Sequence, residues 1–191
     1  MKKRILSLLV VTLLVLSVQA QKKNAIKINP FSPLLNTFNL QYERVINEKS
    51  SFQLGLFYTG YKTGDVSLSG IGITPEYRMY LSNDKEAPAG FFIAPFVRYE
   101  NYTVKADVTD EIDMTTVEGK ASLTNIRPGL LIGHQWLFSD KVTFEMFFGP
   151  TYSISSIKVK TDAGDEGDFS DAEDLFDGFG VRAGFSLGIA F

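Results

Sequence analysis

The most constraining feature of the sequence is a strict alternation at its C-terminal end. Between Phe179 and Phe191 every second residue is apolar, whereas the intervening positions hold glycine, alanine, serine or Arg182. Successive side chains of a β-strand point to opposite faces, so the segment predicts a strand with one continuous apolar face and one small or charged face. Because the sequence ends at Phe191, we expect lipid, and not a following helix, to cover the apolar face.

The N-terminal end predicts export. Lys2, Lys3 and Arg4 precede an apolar run from Ile5 to Val18, and Ala20 follows at a position suited to signal peptidase. The run, about 14 residues, is short for a spanning helix, which needs roughly 20. We therefore expect a signal peptide over residues 1–20 and one mature domain over residues 21–191.

Composition narrows the class of protein. The absence of cysteine excludes a lipoprotein anchor and a disulfide framework. Without its three basic N-terminal residues the chain holds 16 basic and 22 acidic residues, a net charge near −6. That balance argues against nucleic acid as a partner.

The mature chain shows period-two segments and no convincing helical period. An even number of strands returns both termini to one side, as a closed antiparallel barrel requires. The first segment is the weakest, because Pro30 and Pro33 lack ladder donors and it could instead be an irregular lead-in. The eight predicted strands are Ala25 to Leu34, Thr37 to Ile46, Ser51 to Lys62, Gly70 to Leu81, Gly90 to Val104, Lys120 to Leu137, Lys141 to Ile157 and Asp177 to Phe191.

The connections between these strands fall into two length classes. Short turns are expected at 47–50, 82–89 and 138–140, on one side. Longer loops are expected on the other side at 63–69, 105–119 and 158–176, with a tight turn at Leu35 and Asn36. Short turns at one end and longer loops at the other are typical of outer-membrane barrels.

The two faces of the strands carry different chemistry. Outward candidates are apolar, as in the series Phe52, Leu54, Leu56 and Tyr58, and the series Val142, Phe144, Met146 and Phe148. Periodicity alone does not separate inside from outside, but an eight-stranded barrel is too narrow to hold all these large side chains. Aromatic residues also cluster towards both ends, including Trp136 at one end and Tyr58, Tyr99 and Tyr102 at the other, which predicts two aromatic belts. The alternate positions, predicted to face the lumen, carry Glu43, Glu76, Arg78, Arg98, Glu100, Arg127, Glu145 and Arg182.

These features resemble a known class. The opening segment from Asn24 to Arg44 and the C-terminal strand make the chain similar to small eight-stranded outer-membrane barrels of the OmpA or OmpX type, and to an uncharacterised domain family of such barrels in Gram-negative bacteria. The resemblance implies an all-β, eight-stranded antiparallel up-and-down transmembrane barrel in the cell outer membrane, in contact with lipid and lipopolysaccharide. It also implies that Phe191 is an assembly signal read by the barrel-assembly machinery. It implies no common reaction.

The eight lumen charges admit two interpretations. As structure, four acids and four bases neutralise one another and close the barrel with a polar core. As function, they line a gated path for small solutes. The structural interpretation is favoured, with the hypothesis that Glu76 and Arg78 meet Arg98 and Glu100 on the next strand.

The segment from Lys158 to Asp177 is unusually acidic. Its simplest interpretation is a solvated loop that keeps a surface protein from associating with itself. A sharper one is binding of divalent cations by Asp162, Asp165 and Asp168, with Gly164 and Gly167 between them, although the spacing is not that of an EF-hand. Bridging cations or a basic surface partner are the candidate ligands.

The sequence contains few of the residues that catalytic sites need. His134 is the single histidine, lies near the short-turn end, and shares its parity with the outward residues Ile132 and Trp136. The sequence therefore predicts a non-enzymatic protein without a cofactor, with a structural or surface-interaction role and its acidic loops as the recognition surface. The alternatives are a narrow channel for small solutes and a lipid-modifying barrel enzyme.

Overall fold

Eight antiparallel strands form one closed barrel, which confirms the predicted fold class. A computed structural model describes residues 23–64, 66–109, 116–161 and 177–191. Each strand pairs with its neighbours in sequence order, and β1 pairs with β8. Among these residues no helix is long and apolar enough to cross a membrane. The strands are β1 (Asn24–Ile28), β2 (Thr37–Asn47), β3 (Ser50–Thr63), β4 (Val66–Tyr80), β5 (Gly90–Thr109), β6 (Thr116–Phe138), β7 (Val142–Thr161) and β8 (Gly178–Ala190).

The first and last strands close the barrel. Ile26 pairs with Ile189, and at the end of this pair of strands the backbones of Asn24 and Phe191 exchange two hydrogen bonds. The Asn24 N–H donates to the Phe191 carbonyl at 3.1 Å, and the Phe191 N–H donates to the Asn24 carbonyl at 2.8 Å. Both chain ends of the barrel therefore lie at the short-turn end, as the even strand count requires.

The first predicted strand is wrong in its second half. β1 ends at Ile28, and a 3-10 helix spans Ser32–Leu35. Pro30 cannot donate to a ladder, and Pro33 stands in the first turn of the helix, where the fixed φ of proline is tolerated. Asn36 ends the helix in the left-handed region, at φ 51°.

The predicted loops at the opposite end are too long. β5 continues to Thr109 and β6 begins at Thr116, so most of the predicted loop from Lys105 to Gly119 is paired strand, with Lys105 opposite Lys120. Likewise β7 extends to Thr161. These extensions still alternate, but their apolar residues are small or few, as with Ala106 and Val108, and lie between charged or polar residues, so the prediction took them for loops.

The barrel has an apolar outside and a mainly polar inside. Large apolar side chains are exposed along the outer face of every strand, among them Ile71, Leu130 and Phe148. Outward rings form the two belts, with Trp136 beside Phe144 near the short turns. The prediction that Tyr102 belongs to a belt is wrong. It has the inner parity of Arg98 and Glu100, and its hydroxyl donates to Glu100.

An aromatic core fills part of the lumen. Tyr80, Phe92, Phe96, Leu131 and Phe147 pack together there with Ala94. Ala87 of the β4–β5 loop packs against this core from the short-turn end, and Pro88 beside it is buried. The barrel is thus filled by side chains and by one loop that folds back on it.

Candidate functional site

The structure places all eight sequence-predicted charges on the inner face and adds a ninth residue, Lys27. Glu43, Glu76, Arg78 and Glu145 are buried, as is Glu100. Arg98, Arg127 and Arg182 face the same lumen but keep part of their side chains exposed. The charges divide into two groups at different heights in the barrel.

The lower group, towards the short turns, is here called the buried cluster. It comprises Lys27, Glu43, Gln53, Arg78, Tyr80, Gln135 and Glu145, contributed by β1, β2, β3, β4, β6 and β7.

Glu145 is the main acceptor of the buried cluster. Arg78 donates to it bidentately, from Nη1 at 2.5 Å and from Nη2 at 3.1 Å. The Lys27 ammonium donates to the same carboxylate at 2.6 Å and to Gln53 at 3.0 Å. Bidentate, charge-assisted bonds of this kind fix geometry as well as charge.

Glu43 accepts from the other side of the cluster. Its carboxylate lies 2.6 Å from the Lys27 ammonium and accepts bonds from the Tyr80 hydroxyl at 2.6 Å and the Gln135 amide at 3.1 Å. The Ser51 hydroxyl also donates to it. Two bases thus meet two acids with the cluster's remaining polar groups hydrogen-bonded around them, so the buried cluster is neutral as a unit.

The upper group surrounds a cavity of about 200 Å³, here called the arginine chamber. It is lined by Phe96, Arg98, Arg127, Thr151, Val181, Arg182 and Ala183. Arg98 Nε lies 2.8 Å from one oxygen of Glu100, and Arg127 Nε lies 3.2 Å from the other. Arg182 reaches across to Glu76 at 2.7 Å. The second oxygen of Glu76 accepts from Arg78 at 3.0 Å, which links the chamber to the buried cluster.

Aromatic rings hold the guanidinium groups in place. Arg98 lies over Phe57 at 4.5 Å, and Arg182 lies between Phe96 at 4.7 Å and Phe147 at 5.0 Å. Stacking on a ring face stabilises a cation and leaves its in-plane N–H groups available for acceptors. The chamber therefore presents oriented donors.

The ion pairs differ from those predicted. In the part of the chain that the structure describes, Glu76 pairs with Arg78 and Arg182, while Glu100 pairs with Arg98 and Arg127. The hypothesis of pairs between β4 and β5 is wrong, because Arg182 approaches Glu76 from across the lumen.

Sequence reasoning also missed two sets of lumen residues. Lys27 went unassigned, although Ile26 and Ile28 on either side of it face outward and so indicate that it points inward. The inner rings of Phe57, Phe92, Phe96 and Phe147 were missed because neighbouring positions are also apolar, and alternation cannot then identify the face.

His134 lies on the outer face, beside Trp136, with ring centroids 4.3 Å apart. It faces an apolar outer groove with Met146 and Phe185. Its position is remote from the lumen carboxylates. In the described ranges no group of three or more acidic or histidine side chains is placed to hold a metal ion.

The acidic segment from Lys158 to Asp177 lies mostly outside the described residues. Asp162, Asp165 and Asp168 lie outside the described residues, so metal binding there stays a prediction from sequence. Asp177, at the end of that segment, accepts a hydrogen bond from the Ser155 N–H at 2.5 Å.

The fold and the site define a class: a closed eight-stranded antiparallel barrel with an apolar outer face and a charged, largely filled lumen. The chain belongs to the family described as "Protein of unknown function (DUF3575)", whose model matches residues 6–188. No curated protein matches it in sequence.

The chain also matches solved structures at low identity, and the first of these shows the same fold. The chain is similar to a major outer membrane protein from Thermus thermophilus, with a TM-score of 0.50 and 10% identity over 88% of this chain and 99% of that one. It is also similar to CarO of Acinetobacter baumannii, with a TM-score of 0.46 and 11% identity over 91% and 100% of the two chains. The N-terminal barrel domain of Pseudomonas aeruginosa OprF gives 0.38 and 12% over 91% and 100%.

Proposed function

We propose that this protein is a non-enzymatic barrel of the bacterial outer membrane with a structural or surface-interaction role and a lumen closed to solutes. The observation that carries the proposal is the inverted distribution of polarity. Fully buried charges fill the inside of the barrel, and exposed apolar side chains cover the outside. A soluble barrel would place these groups the other way round.

The outer surface favours lipid as its solvent. Leu130 on β6, Phe148 on β7 and Ile71 on β4 are about half exposed and belong to a continuous apolar band around the barrel. Outer-membrane barrels carry such a band between two aromatic girdles. The likeness to the Thermus protein, itself an outer membrane protein, supports the same location.

The buried cluster argues against the channel alternative. Lys27, Glu43, Arg78, Gln135 and Glu145 are each at most 1% exposed and are bonded to one another across the lumen. A conducting path would need these bonds to break together, and removing one member of a buried ion pair costs about 3–5 kcal/mol. The barrel is therefore proposed to serve as a rigid scaffold for its surface.

Refolding and conductance test the proposal together. The chain from Gln21 onward, refolded in detergent micelles, should migrate differently on gels before and after boiling and show a β-type circular dichroism spectrum. In planar bilayers it should give no steady conductance. A chain that is soluble without detergent would refute the membrane location, and well-defined conductance steps would favour the channel.

Recognition by the acidic segment and assembly through Phe191 belong to the proposal on sequence grounds. Calorimetry with Ca²⁺ tests recognition by the acidic segment. If Asp162, Asp165 and Asp168 form a site, they should take up the ion at millimolar concentration, and a variant with all three changed to Asn is the control.

A substitution at Phe191 tests its role in assembly. Phe191→Ala should lower the folded fraction in the outer membrane of cells while leaving detergent refolding intact.

A further inference from the structure

We propose that the arginine chamber is a binding site for a small oxyanion of the phosphate or phosphate-ester class. The inference goes beyond the scaffold role, and its test does not depend on the identity of any surface partner. It rests on the charge and the geometry of the chamber, and on unpaired polar groups one step further along the lumen.

The chamber has more positive than negative charge. Among the described residues, Arg98, Arg127 and Arg182 pair with two carboxylates, those of Glu100 and Glu76. Glu76 is in addition shared with Arg78 of the buried cluster. Because the cluster below is neutral by itself, the lumen described here retains one positive charge, and it lies in the chamber.

Two of the arginines are placed against each other. Arg98 on β5 and Arg127 on β6 are direct cross-strand partners on the inner face. Like charges at such positions destabilise a sheet unless a counter-charge lies between them. Glu100 supplies one carboxylate to both, which leaves most of their N–H donors for another acceptor.

One step further towards the long-loop end, outside the lining of the cavity, two buried residues hold polar groups with no partner among the described residues. Asn125 is the cross-strand partner of Glu100, lies two residues from Arg127 and is 0% exposed, yet neither its amide nitrogen nor its amide oxygen makes a hydrogen bond. The hydroxyl of Ser155, opposite Asn125 on β7, is also unpaired. Such groups are costly to bury without partners and are typical of binding sites.

The chamber has the shape of a dead-end pocket. The buried cluster closes it towards the short turns, while Arg127 and Arg98 remain 37% and 23% exposed. Its volume of about 200 Å³ admits inorganic phosphate or a small phosphate ester. Guanidinium groups bind such oxygens bidentately, which favours this class over chloride.

The test uses the full barrel refolded in maltoside micelles, which contain no phosphate. Binding of inorganic phosphate is measured by calorimetry, with sulfate and chloride titrated separately at matched ionic strength. Ionic screening alone should give the same signal for all three anions. We expect saturable phosphate binding. Arg127→Gln should weaken it at least about tenfold, and Lys141→Gln, which removes one positive charge at the opposite end, should leave it unchanged.

Glu100→Gln provides a test in the opposite direction. It removes the competing carboxylate and should tighten phosphate binding, a result that a purely structural role for these residues does not produce. Heat-modifiable migration verifies that each variant is folded, and Arg127→Lys, which keeps the charge but not the bidentate geometry, replaces Arg127→Gln if the latter does not fold.

Three results would overturn the proposal: no phosphate binding by a folded barrel, binding unaffected by all the Arg127 and Glu100 variants, or equal binding of chloride.

Adding phosphatidylglycerol to the micelles distinguishes binding of a free anion from binding of a lipid headgroup. A lumen site should not respond to the lipid, so competition by it would place the site on the outer surface. Failure of phosphate binding in a folded, non-conducting barrel leaves the scaffold proposal standing.

Discussion

Phe57 on β3 lies directly opposite Gly72 on β4, and its ring occupies the space that a side chain at position 72 would need. A Cβ at Gly72 would stand 2.0 Å from Cε1 of Phe57. A ring lying on a glycine of the next strand fills a narrow lumen and penalises any slip of register. The same relationship recurs in the cross-strand pairs Tyr102 with Gly70, Phe96 with Gly129, Phe92 with Gly133 and Phe147 with Gly184.

Gly72→Ala should therefore destabilise the barrel. The new methyl group forces the Phe57 ring away from Arg98, and overpacking of this kind costs about 1–3 kcal/mol. Urea unfolding of the refolded barrel in micelles measures the change.

Gly55→Ala is the matched control. Gly55 also faces the lumen from β3, but a Cβ there would lie 3.5 Å from its nearest neighbour, Thr74, in ordinary contact. Phe57→Leu combined with Gly72→Ala should recover part of the lost stability. If Gly72→Ala costs no more than Gly55→Ala, the ring does not hold the register.

Glu145→Gln should be among the most destabilising single substitutions. It leaves the Lys27 and Arg78 charges buried with one acid fewer, at a cost of about 3–5 kcal/mol. The same substitution at the exposed Glu48 should change the free energy of unfolding by at most about 0.5 kcal/mol.

Charge balance can be tested within the same cluster. Adding Lys27→Gln to Glu145→Gln removes one base and one acid, so the double variant should lose less stability than the two single losses added together. Strict additivity would mean that Lys27 and Glu145 do not depend on each other, contrary to their 2.6 Å contact.

The sequence was sufficient for the strand number, the inward parity of the charges and the outward parity of most apolar residues. These properties follow from local alternation, which any strand displays whatever its partners. Which charges meet was not predictable, because Arg182 reaches Glu76 across the lumen and that contact depends on how all eight strands are staggered.

Strand ends were predicted less well, for a different reason. Where β5 and β6 continue beyond Val104 and Ala121, the sequence alternates small apolar residues with charged or polar ones over only a few positions, and the prediction took this weak pattern for a loop. Tyr102 shows a related failure. Its position near the long-loop end of β5 suggested a belt residue, whereas the parity that it shares with Glu100 indicates that it faces the lumen.

A charge placed on the outer band measures where the membrane lies. Leu130→Arg, between the levels of Trp136 and Ile126 on the outer face of β6, should reduce stability by about 2–4 kcal/mol, because an arginine at the bilayer midplane loses its hydration. Thr103→Arg, on the outer face of β5 but nearer its long-loop end, should cost about 0–1 kcal/mol. Unfolding in lipid vesicles provides both values, and equal small costs would contradict a membrane band at this level.

The ribbon formed by residues 105–109 of β5 and 116–120 of β6 should be dispensable for the barrel, whereas the loop at the opposite end should not. Val104 and Ala121 are cross-strand partners, so joining them through Asn-Gly removes the ribbon and preserves the ladder below. We expect the free energy of unfolding to change by about 0.5 kcal/mol or less, since no residue of the aromatic core is lost. Replacing residues 82–89 with the same dipeptide removes Ala87, which packs against the aromatic core, and should lower stability measurably more. The reverse order would mean that the ribbon, and not the core at the short turns, stabilises the closed barrel.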